Sequence, residues 1–354
     1  MNLKGKVLIT GISGYCGSQI AYEFLNEGYS VRGTVRDVKN TSKIKFIKDF
    51  PNHDQLEIFQ LNLTSKEEVD IAVKGCDYIA HVASPAITDP TVNESLIVNP
   101  AIEGTLNILF AAYKYKVKAV VITGSVAASC YKQKKPQLIN NQPFMIIDES
   151  DWSDLNGKEK IDAYPKSKTL EEMKAWDYYK TLDPEDRFRL SFINPAFVLG
   201  PFFADQPQSS GSVLLRILKG EISSIPDIVL NIVDVRDVAK CHRLAIEILE
   251  ADGKRFICSS MKIHMREMCN MLRELYPELN IASKNANYWI LLLLSKFISP
   301  LKFVVSSWGR RVEYNTSLIK SILKIEFMSI QQTLKDMAQC CIDKKLVNLQ
   351  KKIK

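Results

Sequence analysis

Lys6-Val7-Leu8-Ile9-Thr10-Gly11-Ile12-Ser13-Gly14-Tyr15-Cys16-Gly17 lies near the start of the chain. Its first five residues form an apolar run of the length and branching of a buried strand. Its last seven carry glycine at 11, 14 and 17. A helical pattern through Ile20, Ala21, Phe24 and Leu25 comes next, and Gly28 closes it. Tyr29-Ser30-Val31-Arg32-Gly33-Thr34-Val35 is a second strand. Strand, helix and strand within about thirty residues make a βαβ unit. At the turn between its first strand and its helix, glycines let the backbone approach a pyrophosphate, and the helix N-terminus attracts the charge. The spacing Gly-x-x-Gly-x-x-Gly is one residue longer at the front than the commonest dinucleotide fingerprint. Three glycines alone could serve a tight turn. Placed in this unit, they point to a bound dinucleotide.

The alternation continues outward from there. Leu56 to Leu61 reads as a strand, Ser65 to Val73 as a helix and Asp77 to Val82 as a strand. Asn99 to Lys114 is a helix, Lys118 to Thr123 a strand, Asp162 to Trp176 a helix and Arg189 to Asn194 a strand. The expected class is α/β: a Rossmann-type, doubly wound parallel sheet with helices on both faces. After Pro195 the alternation weakens. Ser212 to Leu218 is one helix, and Ile228 to Val233, Asp237 to Leu249 and Arg255 to Cys258 read as a return to the sheet. The expected division is a nucleotide-binding domain at 1–195, rejoined by 227–258, and a smaller, mostly helical substrate-binding part at 196–226 and 259–343. A basic tail follows at 344–354.

The 354 residues carry a net charge of +7, part of it in Lys344, Lys345, Lys351, Lys352 and Lys354. A solvated tail is the reading taken, and no nucleic-acid partner is expected. The eight cysteines, Cys16, Cys76, Cys130, Cys241, Cys258, Cys269, Cys340 and Cys341, form no Cys-x-x-Cys pair and no zinc spacing. This suggests a reducing compartment and no metal. The first strand begins within a few residues, leaving no room for a signal peptide, so a cytoplasmic location is expected. Tyr288 to Val305 contains the run Trp289-Ile290-Leu291-Leu292-Leu293-Leu294, interrupted beyond it by Lys296, Pro300 and Lys302. The uninterrupted part is far short of the ~20 residues of a membrane span. A buried helix, or a cap formed by 284–312 over the substrate cleft, is expected, with peripheral membrane attachment the alternative.

Chemistry enters at Asp162-Ala163-Tyr164-Pro165-Lys166-Ser167-Lys168. Asp162 suits an N-cap, and Pro165 is tolerated in a first helical turn. Tyr164 and Lys168, four apart, project from one face. An ammonium favours the phenolate and so lowers a tyrosine pKa from its usual ~10. Such a phenol can give a proton to a carbonyl oxygen or take one from an alcohol. Spacing alone favours a surface pair. A second Tyr-x-x-x-Lys, Tyr131 to Lys135, runs into Pro136 and is not expected to be helical.

The second strand ends in Arg36-Asp37. By count, Asp37 suits the ribose of NAD. Arg36, with Arg32 and Lys43 nearby, suits the extra phosphate of NADP, since a guanidinium binds phosphate through two hydrogen bonds. Neighbouring strand side chains point to opposite sides, so the two cannot both face the ribose. Arg36 inward is the reading taken, with Asp37 capping the next turn. NADP is expected over NAD.

With these pieces in place the chain resembles the extended short-chain dehydrogenase/reductase family, in its dihydroflavonol-4-reductase-like, epimerase/dehydratase-related branch. The resemblance spans nearly the whole chain. It rests on Val7 to Gly11, Gly33 to Asp37, His81-Val82-Ala83-Ser84-Pro85 and Thr123 to Ala128. It also rests on Tyr164 to Lys168, Asn194 to Pro201 and Ile232 to Ala239. It implies a Ser-Tyr-Lys site: Ser125 orients a carbonyl, Tyr164 donates a proton, and Lys168 holds the nicotinamide ribose. It implies a cofactor cleft of Gly11, Ser13, Gly14, Tyr15, Cys16, Gly17, Arg36, Lys43, Asn62, Leu63, Val82, Ala83, Ser84, Pro195, Phe197 and Val198, with Tyr164 and Lys168. The implied activity is reduction of an aldehyde or ketone by a monomer or homodimer acting on a small carbonyl or alcohol. A hydroxysteroid dehydrogenase, a nucleotide-sugar epimerase and a cofactor-sensing binding protein are the alternatives. Three departures from the pattern stand out. Gly124 replaces a frequent Ser, Asn62 a frequent Asp, and Cys130 the Asn of flavonoid-reducing members.

Overall fold

The computed structural model describes residues 3–84, 93–131, 134–139, 142–157 and 161–348, without the side chains of Ser299, Pro300 and Phe303. Pro85 and the lysines of the tail beyond 348 lie outside them. The first unit is β1 (Lys6–Ile9), α1 (Tyr15–Asn26) and β2 (Ser30–Val35). β3 (Leu56–Gln60), α2 (Lys66–Val73), β4 (Tyr78–His81), α3 (Ser95–Lys114) and β5 (Ala119–Thr123) continue the alternation. An antiparallel pair, β6 (Gln137–Ile139) and β7 (Gln142–Ile147), precedes α4 (Ala163–Thr181) and β8 (Arg189–Pro195). Then come β9 (Phe197–Leu199), α5 (Gly211–Leu218), β10 (Val229–Asp234), α6 (Val235–Glu247) and β11 (Lys254–Cys258). The chain goes on through β12 (Met261–His264), α7 (Met265–Leu275), α8 (Tyr288–Leu294) and α9 (Ser299–Ser306). β13 (Val312–Tyr314), α10 (Ser317–Leu323) and α11 (Ile330–Asp343) complete it.

Seven strands form one parallel sheet in the order β11-β8-β5-β4-β1-β2-β3. The central strands are apolar throughout because helices cover both faces: Val7 to Ile9 and Val120 to Ile122 are fully buried. On one face α1 and α6 pack together, and their core runs on into α5, α7 and α11 through Leu214, Met268, Leu272 and Leu334. On the other face α2, α3 and α4 enclose Val69, Ile108, Leu109 and Ala175. β1 has β2 on one side and β4 on the other, so the crossovers diverge from it. A crevice therefore opens beyond the carboxyl ends of β1 and β4.

Three elements differ from the sequence reading. Ile228–Val233 does form a strand, but β10 does not return to the large sheet. It pairs with β9 in parallel and with β12 antiparallel, and only its second half is buried. β11, by contrast, does join the sheet beside β8. α3 starts at Ser95, ahead of the expected Asn99, and carries Pro100 inside; the missing proline N–H costs one bond, not the helix. By length and composition α3 could cross a membrane, yet it packs between α2 and α4. Of the two readings for Tyr288 to Val305, the buried helix is wrong: α8 contains no buried residue.

Candidate functional site

The glycine turn sits at the mouth of the crevice. Gly11 has φ +74, and a Cβ there would lie 2.9 Å from Ala83 Cβ. A Cβ on Gly17 would lie 2.2 Å from Gly11 O. The turn is therefore closed against side chains where it meets β4 and α1. Gly14 holds the N-cap of α1 with no side-chain cap, so the N–H groups of Tyr15, Cys16 and Gly17 have no partner within the helix. These donors, at the positive end of a helix dipole, fit a pyrophosphate. The side chain of Tyr15 turns elsewhere. Tyr15 is buried and donates to Gly200 O at 2.6 Å. Burial, then Cys258, pushes the Cys16 thiol up to about 12, against a lowering by Lys168.

At the end of β2 the structure separates the charged residues. Asp37 accepts a hydrogen bond from Lys39 N at 2.8 Å, capping the turn as expected. Arg36 and Lys43 are exposed and make no ion pair among the described residues. Arg32 is committed elsewhere: it pairs with Glu57 at 3.0 Å, donates to Ala72 O and Lys74 O, and lies over the Phe59 ring. It is not free for a phosphate, a correction to its expected role. Asn62 lies two residues past β3, where its Oδ1 accepts from Thr64 N and Thr64 Oγ1. Leu63 packs under Gly104, which has room for no side chain.

Ser125 follows β5 after the single residue Gly124 and is buried. Its Oγ accepts from Ala127 N at 3.1 Å, which leaves the hydroxyl proton free to donate. α4 packs against this same Val126–Ala128 turn. Asp162 occupies the N-cap position of α4 without a side-chain bond, and Pro165 falls in the first turn. Tyr164 is half-buried, and its hydroxyl has no hydrogen-bond partner among the described residues. One turn on, Lys168 is buried, donating to Thr123 O at 3.3 Å and to Glu171 Oε2 at 3.1 Å. Burial by itself pulls its pKa down; the Glu171 carboxylate, followed by the Tyr164 phenol, outweighs this and raises it. Lys168 therefore faces the end of β5, and the Tyr164 phenol lies near enough to it to help raise its pKa.

Residues that the sequence reading passed over complete the arrangement. Glu171 accepts from Thr105 Oγ1 at 2.8 Å and from Ser84 Oγ at 3.3 Å. His81 bridges Thr105 Oγ1 at 3.1 Å and Thr10 Oγ1 at 2.9 Å. Burial, then Lys168, drops the His81 pKa to about 3, so the ring is neutral. Thr10 Oγ1 already accepts from Val82 N and Ala83 N at 2.9 Å. The directions then follow. Thr105 gives its one proton to the carboxylate, so it accepts from His81 Nε2–H. His81 Nδ1 accepts from Thr10. Donation thus runs from Thr10 through His81 and Thr105 to Glu171, which also accepts from Lys168, and the shared carboxylate ties the glycine turn to Lys168. Only the positions of Thr10 just past β1 and His81 at the end of β4 hinted at it.

Glu172, the next residue on α4, points into the protein. It forms a buried, two-pronged pair with Arg255, 2.8 and 3.0 Å, and accepts from Asn194 Nδ2. Arg255 in turn lies over the Trp152 ring at 3.6 Å. Asn194 Oδ1 is buried without a hydrogen-bond partner among the described residues, and a Cβ on Gly124 would be 1.9 Å from it. Gly124 thus leaves space that the amide fills. Pro195 and Val198 are buried and Phe197 half-buried at the carboxyl end of β8 and in β9. Cys130, past Ser125, offers its carbonyl to Arg310, whose guanidinium lies over the Tyr131 ring at 4.7 Å. Residues 134–136 are not helical, and Lys132 and Gln133 of the second Tyr-x-x-x-Lys lie outside the described residues.

Comparison with known proteins bears on this arrangement. Residues 7–258 match the model of the NAD dependent epimerase/dehydratase family. The chain is 31% identical over 352 residues to a cinnamoyl-CoA reductase of Medicago truncatula, covering 98% of this chain and 99% of the relative. It is 35% identical over 288 residues to a bifunctional dihydroflavonol 4-reductase/flavanone 4-reductase of Malus domestica, covering 78% of each. Among solved structures, vestitone reductase from alfalfa aligns with a TM-score of 0.74 at 26% identity, over 97% of this chain and all of that one. The yeast methylglyoxal/isovaleraldehyde reductase complexed with NADPH aligns with a TM-score of 0.79 at 23% identity, over 97% and 100%.

Proposed function

The chain belongs to the NAD dependent epimerase/dehydratase family, in the dihydroflavonol-4-reductase-like branch of the extended short-chain dehydrogenases/reductases. From that premise we propose that it is an NADP(H)-dependent oxidoreductase that reduces an aldehyde or ketone to an alcohol. The observation that carries this reading is the placement of Lys168: one buried ammonium joins the strand end before Ser125 to the helix that presents Tyr164. The relatives named as reductases, and the structural neighbour complexed with NADPH, point the same way.

When bound, the reduced nicotinamide would supply the hydride. The chain's own residues do the rest. The free Ser125 proton is donated to the carbonyl oxygen and fixes its direction. Tyr164 gives that oxygen its proton as charge builds there, a step typically worth ~10²–10⁴ in rate. Lys168 stabilises the phenolate left behind and would hold the ribose hydroxyls. Glu171 keeps Lys168 charged and aimed. The uncapped N-terminus of α1 would hold the pyrophosphate, and Arg36 with Lys43 the adenosine 2′-phosphate.

The direct test is NADPH oxidation by purified protein across aromatic aldehydes, α-dicarbonyls, flavonoids and ketosteroids. Turnover with at least one carbonyl, slower with NADH, is the expected outcome. Turnover of a UDP-sugar without net cofactor change would replace this reading with epimerisation. Cofactor binding with no turnover of any substrate would point to a sensor.

A further inference from the structure

The segment from Lys284 to Arg311 carries an apolar face that the catalytic reading does not use. Trp289, Ile290, Leu293, Leu294, Phe297 and Ile298 are all exposed, Trp289 by 73% and Phe297 by 81%. A contiguous face of this kind marks an interaction site. The element is built and held. Asn287 caps α8 through Trp289 N at 2.9 Å and Ile290 N at 3.4 Å. Ile225 exchanges two backbone bonds of 2.8 Å with Lys284 and Ala286, and Gly309 N donates to Asp227 O at 2.9 Å. Tyr288 packs on Trp308, their ring centroids 5.4 Å apart. The exposed face is therefore the outer side of an anchored structure.

Charge says what covers it. Between Glu278 and Glu313 the sequence contains no acidic residue. Lys284, Lys296 and Lys302 are exposed and make no ion pair among the described residues. A second copy docking here by two-fold symmetry would set lysine against lysine with no carboxylate of the same segment to answer them, and the adjacent Asp227 is already paired with Arg311 and His264. A surface of anionic headgroups over acyl chains satisfies both halves of the pattern, since aromatic and aliphatic side chains enter the boundary while lysines stay with the phosphates. The helices cannot cross. α8 has seven residues and α9 eight, so each is roughly 10–12 Å long against a hydrocarbon core of about 30 Å.

We propose that this face docks peripherally on an anionic lipid surface, with Trp289 and Phe297 as the apolar anchors and Lys284, Lys296 and Lys302 as the phosphate contacts. The proposal is independent of the carbonyl reading.

The test is sedimentation of the purified full-length protein with phosphatidylcholine vesicles, with and without phosphatidylserine, at low and high salt. The protein is expected in the pellet only with phosphatidylserine, and several-fold less of it at high salt. Two double variants, Trp289→Ser with Phe297→Ser and Lys296→Glu with Lys302→Glu, should each lose most of this binding. All four positions are exposed, so circular dichroism should stay unchanged. Absence of binding to phosphatidylserine vesicles would overturn the proposal. So would binding that neither variant weakens, since another surface would then be responsible. A concentration-dependent dimer dissolved by Trp289→Ser with Phe297→Ser would also overturn it, by naming a second copy as the occupant.

Discussion

Lys168 carries its charge where water hardly reaches, and Glu171 is the counter-charge that makes this tolerable. Glu171→Gln keeps the shape and the bonds from Thr105 and Ser84 but removes that charge. Burial then acts unopposed by the largest raising influence, so the Lys168 pKa falls. The loss of reductase activity at alkaline pH should move to lower pH in this variant. Superimposable profiles of kcat/KM against pH would show that Glu171 does not set the charge of Lys168. Glu171→Ala should also destabilise by about 3–5 kcal/mol, because one partner of a buried pair is left behind. At the other end of the cleft, Arg36→Ala should weaken NADPH use by roughly tenfold to a hundredfold, the worth of a charged hydrogen bond, and leave NADH nearly unchanged. Equal losses in kcat/KM for both cofactors would show that Arg36 does not read the phosphate. Tyr164, Lys168 and the glycines could be singled out as candidates because motif and spacing are local, and Ser125 through the resemblance. Glu171, Thr105, His81 and Thr10 could not. Each looks ordinary in its own element, and only the pairing of β1 with β4 and the packing of α3 on α4 brings them together.

At the level of elements, the strands of the large sheet and their helices within the first 195 residues were legible because a parallel sheet covered on both faces needs long apolar runs, whereas the short pair β6 and β7 was not read. The pairing of β10 was not legible either. A strand's period gives its faces and not its partner, and β9, leaving β8 after a single residue, had already turned the chain toward a second sheet. α8 misled for a related reason, since an apolar run looks the same whether a core or a lipid surface takes it up. Asp237, in the first turn of α6, shows what the junction costs. Burial raises its pKa to about 6, with nearby Asp234 adding to it and the Met328 N–H opposing. The folded pKa lies above the unfolded one, so this group lowers stability progressively as pH rises from about 4 to about 6, and the loss persists above that. Asp237→Asn retains an acceptor for Met328 N. It should raise stability at pH 7 by about 2–3 kcal/mol. The gain should disappear near pH 4. Thermal denaturation at the two pH values checks this; an equal or absent gain at both would contradict it.

Across the whole molecule, the C-terminal pieces are built onto the same core as the sheet. Leu214, Ile232, Met268 and Leu334 are continuous with Val7, Ile20 and Phe24 beneath α1 and α6. These C-terminal elements therefore share one core with the sheet that forms the crevice, and Tyr15 braces the glycine turn against Gly200. The central claim is that this scaffold aims one phenol at a carbonyl. The measurement that tests it most directly is the turnover of Tyr164→Phe beside wild type with a reducible carbonyl, together with the NADPH dissociation constant of each. The ring keeps its packing, so NADPH affinity should be nearly unchanged while kcat falls by ~10²–10⁴. Turnover equal to wild type would show that Tyr164 is not the proton donor and would contradict the account.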